Sequence, residues 1–254
     1  MRVLVCVKRV PAPGARINIA PDGQSIDTAF LGFTMSPHEE CAVEEAVRIV
    51  ELHGGTSTVL TLGPAAAEEQ LRYAASLGVD GAVLVPIDDR DWDPQRTARA
   101  LISVVQALEA EGGPFDVILF GNESADAGGF QVGIRVAYGL GRPMVNGAKG
   151  LELDAEVARV RRESDAGVEV YELTLPAVIG VKEGINLPRY PTLKGRLASK
   201  KVPVDQRPVE VPAGGQQMLH LQPPPELAST TVMLGSGPDA APAVVDLLVE
   251  LGLV

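Results

Sequence analysis

The chain is predicted to be an α/β protein built on a doubly wound, mostly parallel sheet. Short apolar runs of strand length alternate with amphipathic segments of helix length over roughly the first half of the sequence. The turns between them are only a few residues long, which is the pattern of successive βα units. Right-handed crossovers between parallel strands then place helices on both faces of the sheet.

The individual elements follow from the spacing of apolar residues. Continuous apolar runs are typical of strands buried on both faces, whereas recurrence every three to four residues is typical of helices. Strands are expected at residues 2–7, 56–62, 81–86, 115–120 and 177–181. Helices are expected at residues 39–53, 65–77, 97–111 and 131–140.

The character of the sequence changes after about residue 145. Residues 155–161 and 168–175 are expected to form an antiparallel β-hairpin added to the same sheet. Residues 203–225 carry six prolines and two adjacent glycines, which predicts an extended arm. The apolar helix expected at residues 240–251 either folds back or docks on another chain, and the stiffness of the arm favours docking. The predicted domains are therefore residues 1–202 and a C-terminal arm and helix at residues 203–254.

Composition and charge exclude several classes of function. Hydrophobic residues make up 46% of the 254 residues, yet no apolar stretch is long enough for a transmembrane helix, so no membrane insertion is expected. The net charge of −11 argues against a nucleic-acid partner, because phosphate contacts need a basic surface. The N-terminus does not have the pattern of a signal peptide and the two cysteines suggest no disulfide framework, so a cytoplasmic location is expected. No Cys or His spacing is typical of a metal site.

A glycine-rich loop follows the most apolar of the predicted strands. Ligands of open parallel sheets bind beyond the carboxyl ends of the strands. Glycines at positions 121, 128 and 129 lie between the strand at 115–120 and the next helix. Backbone N–H groups in such a loop, with a helix N-terminus behind them, form an anion-binding nest. The loop by itself fits an ordinary β–α connection equally well.

The segment Ser36-Pro37-His38-Glu39 has the pattern of a capping box at a helix start. One interpretation is a helix N-terminus that satisfies its own hydrogen bonds. If the segment also contacts a nucleotide, the contact is expected at the base or ribose, because the acidic Glu39 competes with a phosphate. Trp92, the one tryptophan in the sequence, is expected to fill an edge of the core.

A dense motif lies between Arg161 and Lys201. It begins with the charged turn at residues 162–167, continues through the sequence LTLPAV at 173–178 and ends with NLPRYPTLK at 186–194. This motif closely resembles the signature region of the beta subunit of electron transfer flavoproteins, although Ala166 stands where the family usually has an acidic residue or Gly. The resemblance extends at lower density from residue 2 to about residue 202. It implies a Rossmann-like sheet of the adenine-nucleotide-binding type and an electron carrier rather than a self-contained enzyme.

The resemblance also implies a set of nucleotide-binding residues. In the family, the beta subunit buries AMP as a structural ligand against positions that match the following residues of this chain. They are Cys6, Ser36, Pro37, His38, Glu39, Leu62, Gly121, Asn122, Glu123, Ser124, Ala125, Asp126, Ala127, Gly128, Gly129, Phe130, Gln131 and Val132. Many members have Asn-Gln-Thr-Gly where this chain has Phe-Gln-Val-Gly at 130–133, so backbone N–H groups are expected to hold more of the phosphate.

Partners are implied in the same way. In the family, the electron-carrying FAD is shared with, and mostly held by, an alpha subunit that the C-terminal arm wraps. Acyl-CoA dehydrogenases and other flavoprotein dehydrogenases donate electrons, and a quinone oxidoreductase accepts them. The basic loop at residues 182–201 is expected to dock the dehydrogenases, with Leu193 entering a hydrophobic pocket beside Tyr190 and Lys194.

Two alternatives remain open. The sequence Gln-Val-Gly at 131–133 also resembles the flavin-bifurcating branch, in which a second FAD replaces AMP and NADH is the donor. The other alternative is a nucleotide-binding module of the stress-protein kind without redox function. The basic loop at 182–201 and the proline-rich arm count against that module, which needs neither.

Overall fold

Eleven strands and six α-helices make up the regular structure of the described residues, which are 1–88, 92–225 and 231–254 of a computed structural model. The strands are β1 (Arg2–Val7), β2 (Val10–Pro11), β3 (Phe33–Thr34), β4 (Thr56–Gly63), β5 (Gly81–Pro86), β6 (Val117–Gly121), β7 (Met144–Leu153), β8 (Val157–Ser164), β9 (Gly167–Thr174), β10 (Ala177–Val181) and β11 (Val204–Gln206). The helices are α1 (Pro37–His53), α2 (Glu68–Leu77), α3 (Pro94–Gly112), α4 (Val132–Leu140), α5 (Leu193–Ser199) and α6 (Ala241–Glu250).

The main sheet has nine strands in the order β11-β5-β4-β1-β6-β10-β7-β8-β9, which confirms the doubly wound α/β fold. All pairings from β11 to β7 are parallel, and β8 and β9 add an antiparallel extension at one edge. One core cluster packs α1 and α2 against one face of the sheet, and a second packs α3 and α4 against the other. Helices therefore cover both faces, as right-handed crossovers require.

Two helices begin earlier than their apolar spacing predicts. The N-cap of α1 is Ser36 and that of α3 is Asp93, and in both helices a proline occupies the first position. Proline suits this position because its missing N–H has no partner there in any helix. Apolar spacing placed these starts late, at residues 39 and 97, because the first turn of each helix is polar. The capping box predicted at residues 36–39 is confirmed as the start of α1.

Three elements after residue 140 were not predicted from the sequence. The strand β7 was not predicted, because two glycines, Asn146 and Lys149 interrupt its alternation, and its pairing with β8 contains an irregularity between Ala148 and Gly150. The predicted hairpin is thus the outer part of a three-stranded meander. Within the predicted loop at 182–201, α5 forms from Leu193, with the Thr192 side chain as its N-cap. Within the predicted arm, β11 pairs in parallel with β5 and joins the main sheet.

The chain divides into two compact units, Met1–Leu221 and Gln222–Val254. The sheet and its helices belong to the first unit. The second contains a 3₁₀ turn at Gly237–Ala240 followed by α6, whose residues are all described and none of which is buried. Across the described ranges, every helix is too short or too polar to span a lipid bilayer.

Candidate functional site

A cleft opens where the strand order reverses between β1 and β6. These two strands run parallel side by side, with Cys6 opposite Phe120 near their carboxyl ends. From β1 the chain proceeds to β4 and β5 on one side and returns to β6 on the other, which makes this the switch point of the sheet. The cleft has a volume of about 680 Å³, within the range of small-molecule sites.

The structure brings the predicted nucleotide residues together around this cleft. Its lining includes Cys6, Glu39, Leu62, Gly121, Asn122, Glu123, Ser124, Ala127, Gly129, Phe130, Gln131 and Val132. The remaining predicted residues line an adjoining pocket of about 330 Å³, namely Ser36, Pro37, His38, Ala125, Asp126 and Gly128. Glu123, Ser124 and Ala127 border both cavities. Contact of these residues with a ligand stays a prediction.

Helix N-termini at the cleft differ in whether a side chain caps them. At α1 the Ser36 hydroxyl accepts from the Glu39 N–H at 3.2 Å, while the Glu39 carboxylate accepts from the Ser36 N–H at 2.8 Å. At α3 the Asp93 carboxylate accepts from the Gln95 N–H at 2.9 Å. Among the described residues, no side chain caps α4 at its N-cap residue Gln131. The first N–H groups of α4 are therefore available to an anionic ligand.

Glu39 contacts three parts of the cleft: the residue after β1, the start of α1 and the end of β6. One carboxylate oxygen accepts from the Lys8 N–H at 2.8 Å, and the other serves the α1 capping box. A Cβ atom at Gly121 would lie 2.6 Å from the Glu39 Cγ, so only glycine lets the end of β6 approach this closely. Burial raises the pKa of Glu39 to about 7, against the backbone hydrogen bonds, which lower it. This carboxyl group thus titrates near neutral pH at the floor of the cleft.

An ion pair closes one side of the smaller pocket. Burial alone would raise the pKa of Asp126. The Lys8 ammonium and hydrogen bonds from Ser124 and Ala127 together outweigh burial, so this pKa lies below its usual value. His38 accepts the Glu183 N–H on Nδ1 at 2.8 Å, so its proton sits on Nε2, which faces the Glu123 carboxylate at 3.3 Å. The anionic side chains of Asp126 and Glu123 therefore have partners at the rim of this pocket.

Phe130 has an uncommon backbone conformation at the cleft. Its φ is +53°, in the left-handed region that non-glycine residues seldom adopt. Gly128, two residues earlier, has a φ of +55°. Strained residues of this kind cluster at ligand sites, where the fold holds them in place. The conformation leaves an aromatic side chain, 48% exposed, at the wall of the cleft.

Sequence reasoning missed one wall of the cleft. Trp92, Asp93 and Thr97 line it from the start of α3, and Gln216 to Met218 line it from the C-terminal arm. Trp92 therefore borders the cleft, so the expectation that it fills only a core edge was incomplete. Applying the strand-end rule to β5 would have found Trp92 and Asp93, which follow that strand. The arm residues carry no comparable signal in the sequence.

A second candidate surface is the loop at residues 182–192, which α1 holds. Asn186 donates to the Cys41 carbonyl at 2.9 Å and to the Glu45 carboxylate at 2.8 Å. Arg189 forms ion pairs with Glu44 and Glu51. These contacts fix the backbone of the loop against the acidic face of α1.

Apolar side chains project from this anchored base. Tyr190 is 91% exposed and Leu193, the first residue of α5, is 76% exposed. Leu187 and Lys194 are also exposed. A rigid loop that presents isolated apolar side chains to solvent has the geometry of a partner-binding surface. The predicted docking residues thus share one surface, although their contact with a partner is untested.

The described residues offer no evident metal site. Over the described ranges, no group of three or more His, Cys, Asp or Glu side chains is placed to hold a metal ion. Cys6 and Cys41 are free and buried. Burial, followed by the nearby Glu39 carboxylate, raises the pKa of the Cys6 thiol well above its usual range, so this thiol is unreactive where it stands.

Comparison with known proteins identifies relatives along most of the chain. Residues 26–212 match the sequence model of the family described as "Electron transfer flavoprotein domain". The electron transfer flavoprotein subunit beta of Syntrophomonas wolfei subsp. wolfei is 34% identical over 230 residues, which cover 90% of this chain and 88% of that protein. The protein of that name from Bacillus subtilis is 37% identical over 172 residues, 68% of this chain and 66% of the relative. The mitochondrial subunit beta of Oryza sativa subsp. indica is 37% identical over 203 residues, 79% of each chain.

Proposed function

The chain belongs to the electron transfer flavoprotein family as a beta subunit, and we propose that it binds AMP in the cleft at the β1/β6 switch point and pairs with an alpha subunit. The observation that carries the nucleotide assignment is the uncapped N-terminus of α4 beside the capped α1 and α3. An anion at the α4 end satisfies the free N–H groups and the helix dipole together.

The other cleft residues suit the rest of a mononucleotide. Leu62, Trp92 and Phe130 supply apolar and aromatic surface for a base. The acidic groups Glu39 and Glu123 are engaged at the start of α1, where Glu39 serves the capping box and Glu123 faces His38. The proposal therefore places the base or ribose toward α1 and the phosphate at the α4 end. The donor set therefore fits AMP without a Lys-Ser or Lys-Thr phosphate motif.

FAD in this proposal is shared with the alpha subunit and mostly held by it. When bound, FAD supplies the electron-carrying isoalloxazine ring. This chain contributes a folded scaffold, a nucleotide that stabilises it, and a surface that recognises the donors. Its C-terminal unit supports the pairing, because α6 leaves Val244, Val245 and Val249 exposed to solvent. Such an apolar helix gains stability when a partner covers it.

Acyl-CoA dehydrogenases and other flavoprotein dehydrogenases are the proposed donors, and a quinone oxidoreductase that feeds the respiratory quinone pool is the proposed acceptor. The loop with Tyr190, Leu193 and Lys194 is the proposed donor-binding surface. Burial of one leucine contributes roughly 1.5–3 kcal/mol, which suits a transient electron-transfer encounter. The two free cysteines fit a reducing compartment, and the proposal places the heterodimer in the cytoplasm.

A second candidate is the bifurcating form, with FAD in the cleft and NADH as donor. Two observations favour it: the sequence Gln-Val-Gly at 131–133 and a cleft volume of about 680 Å³, in the upper half of the usual range for small-molecule sites. In both forms the α4 N-terminus holds phosphate, so the two proposals differ in the ring system that occupies the remaining volume.

The deciding experiment is the nucleotide content of the coexpressed heterodimer. The complex is denatured, and the released nucleotides are separated and quantified by chromatography. One FAD and one AMP per heterodimer is the expected result. Two FAD without AMP would replace the simple carrier by the bifurcating form, and a folded complex without either nucleotide would refute the proposal.

A further inference from the structure

The C-terminal arm crosses the outside of α3 before it reaches the cleft. At the start of this path, the Arg207 side chain pairs with Glu111 near the end of α3. The backbone N–H of Arg207 donates to the Leu84 carbonyl at 2.8 Å. Farther along, Arg96 donates to the Gly214 carbonyl at 2.5 Å, and Arg99 donates to the Ala213 carbonyl. Charged side chains of α3 thus hold the backbone of the arm through its carbonyl groups.

The arm passes closest to α3 at Gly215. A Cβ atom at this glycine would lie 2.7 Å from the Asp93 Cγ, inside normal contact distance. The φ of Gly215 is +90°, a conformation that L-residues rarely adopt. Below it, one carboxylate oxygen of Asp93 is buried without a hydrogen-bond partner. The close approach therefore depends on the absence of a side chain at position 215.

Beyond Gly215 the arm forms a wall of the cleft. Gln216, Gln217 and Met218 line the cavity together with residues of the β6–α4 loop. The far end of this segment is also fastened, because Gln24 donates to the Leu219 carbonyl and the Leu221 N–H donates to the Gly23 carbonyl at 2.8 Å. Both ends of the segment that spans the cleft are therefore held by the same compact unit.

We propose that residues 215–218, here called the strap, are part of the nucleotide site and retain the ligand by closing the cleft over it. The inference rests on the proposed function, since it takes the cleft ligand to be a nucleotide. The amide groups of Gln216 and Gln217 suit the polar edge of a planar heteroaromatic ring, and the Met218 thioether suits its face. The strap thus selects for a ring system such as adenine or isoalloxazine and limits the rate at which it leaves.

The test compares Gly215, which begins the strap, with Gly214, which precedes it, in the coexpressed heterodimer. Gly214→Ala and Gly215→Ala introduce the same methyl group at positive φ, +80° and +90° respectively. A Cβ at Gly214 has only the Arg99 guanidinium within contact distance, at 3.7 Å, whereas one at Gly215 collides with Asp93. The rate of nucleotide release is measured by ultrafiltration over time and chromatography of the filtrate.

We expect Gly215→Ala to release the nucleotide about tenfold faster than the unmodified heterodimer, because a cleft that closes less well raises the dissociation rate. The release rate of Gly214→Ala should stay within about threefold of the unmodified heterodimer. Equal release rates for the two variants, or no change in Gly215→Ala, would overturn the proposal. Should Gly215→Ala fail to fold, Met218→Ala removes a cavity-facing side chain without the collision. Faster release from that variant supports the strap, and an unchanged rate opposes it.

A second readout separates failure of the strap from failure of the nucleotide assignment. Hydrogen exchange of the segment after Gly215 reports its closure independently of the ligand, because the Leu221 N–H donates to the Gly23 carbonyl. The hairpin of β8 and β9 supplies an internal reference. In nucleotide-stripped heterodimer, we expect Gly215→Ala to raise the hydrogen exchange of residues 216–221 relative to residues 157–174, measured by peptide mass spectrometry. An unchanged ratio would refute the strap even if the purified complex holds no nucleotide, a result that would separately refute the proposed function.

Discussion

The guanidinium of Arg189 lies across the carboxylate of Glu44, donating from both Nε and Nη2 at 2.9 Å. Glu44 is buried on α1, with 6% of its side chain exposed, while Arg189 comes from the loop after β10. Glu51, two turns farther along α1, accepts from Nη1 and also from Nη2, which it shares with Glu44. This contact is the main reason that the pKa of Glu51 lies below the usual value. The pairing is therefore the principal fastening between the candidate docking loop and α1.

Arg189→Lys should loosen this loop. Lysine keeps the charge but cannot form the two-pronged contact. We expect the free energy of unfolding to fall by about 1–2 kcal/mol, because Glu44 is left with a poorer partner while solvent screens the exposed side of the pair. Hydrogen exchange of residues 183–192 should accelerate. The exposed pair Arg159–Glu172 supplies the control. If Arg159→Lys lowered the free energy of unfolding as much as Arg189→Lys, the contact of Arg189 with α1 would have no special role.

Leu193→Ala should weaken docking of a dehydrogenase without disturbing the cofactors. Removing one leucine from a hydrophobic contact costs about 1.5–3 kcal/mol, so the KM for the dehydrogenase should rise roughly tenfold or more. The measurement is steady-state electron transfer from an acyl-CoA dehydrogenase. Leu52→Ala, which changes a leucine of similar exposure (79%) on α1, should leave the KM unchanged. A loss of FAD from Leu193→Ala would count against a docking role.

Glu39 should make folding stability depend on pH between about 4.5 and 7. Its pKa is raised from 4.5 to about 7 in the fold, so the native state holds its proton more tightly than the unfolded chain. The resulting stability is fully present below the unfolded pKa and is lost as pH rises through the folded pKa, by about 3 kcal/mol in total. Asp126 has a lowered pKa, and its contribution is lost only at more acid pH.

Denaturant unfolding of the purified chain at pH values from 5 to 8 measures this slope. Glu39→Gln should flatten it, with the largest loss of stability at pH 5. Glu69→Gln, at an exposed position in the first turn of α2, is the control and should preserve the slope. An identical slope in Glu39→Gln and the unmodified chain would show that another group titrates in this range.

Truncation after Leu221 should separate folding from assembly. The cut lies at the boundary between the two compact units and leaves β11 and the strap in place. The truncated chain is expected to keep its secondary structure by circular dichroism and to lose the alpha subunit in copurification and light scattering. In the full-length chain, Val249→Asp should weaken pairing because it charges an exposed apolar position of α6, whereas Asp246→Asn should not. A stable heterodimer after truncation would show that the C-terminal unit is not needed.

Sequence reasoning succeeded where the signal is local. The spacing of apolar residues reveals the buried strands and the amphipathic helices, and the order β1, α1, β4, α2, β5 follows from it. It failed where pairing partners decide the structure. β7 is held by β10 on one side and β8 on the other, and neither contact is visible in its glycine-interrupted sequence. β11 is a strand only because β5 offers an unpaired edge.

The cleft shows the same division. The wall formed by the β6–α4 loop could be predicted, because glycines after a strand and before a helix have a known physical use. The wall formed by residues 216–218 could not, since it depends on where a long arm returns after about ten residues of irregular chain. Phe130 illustrates a third limit. A phenylalanine carries no sequence signal for positive φ, so its conformation at +53° emerges only from the surrounding packing.

One helix serves both candidate surfaces. Glu39 at the start of α1 closes the floor of the cleft, and Glu44, Glu45 and Glu51 farther along hold the loop at 182–192. With a rise of 1.5 Å per residue, Glu39 and Glu51 are about 18 Å apart along the axis. The helix α1 therefore fixes the distance between this loop and the cleft, whatever the sequence of the loop. A loop grafted from a relative should change donor preference while keeping its distance from the cleft, provided that it retains an asparagine and an arginine at positions 186 and 189.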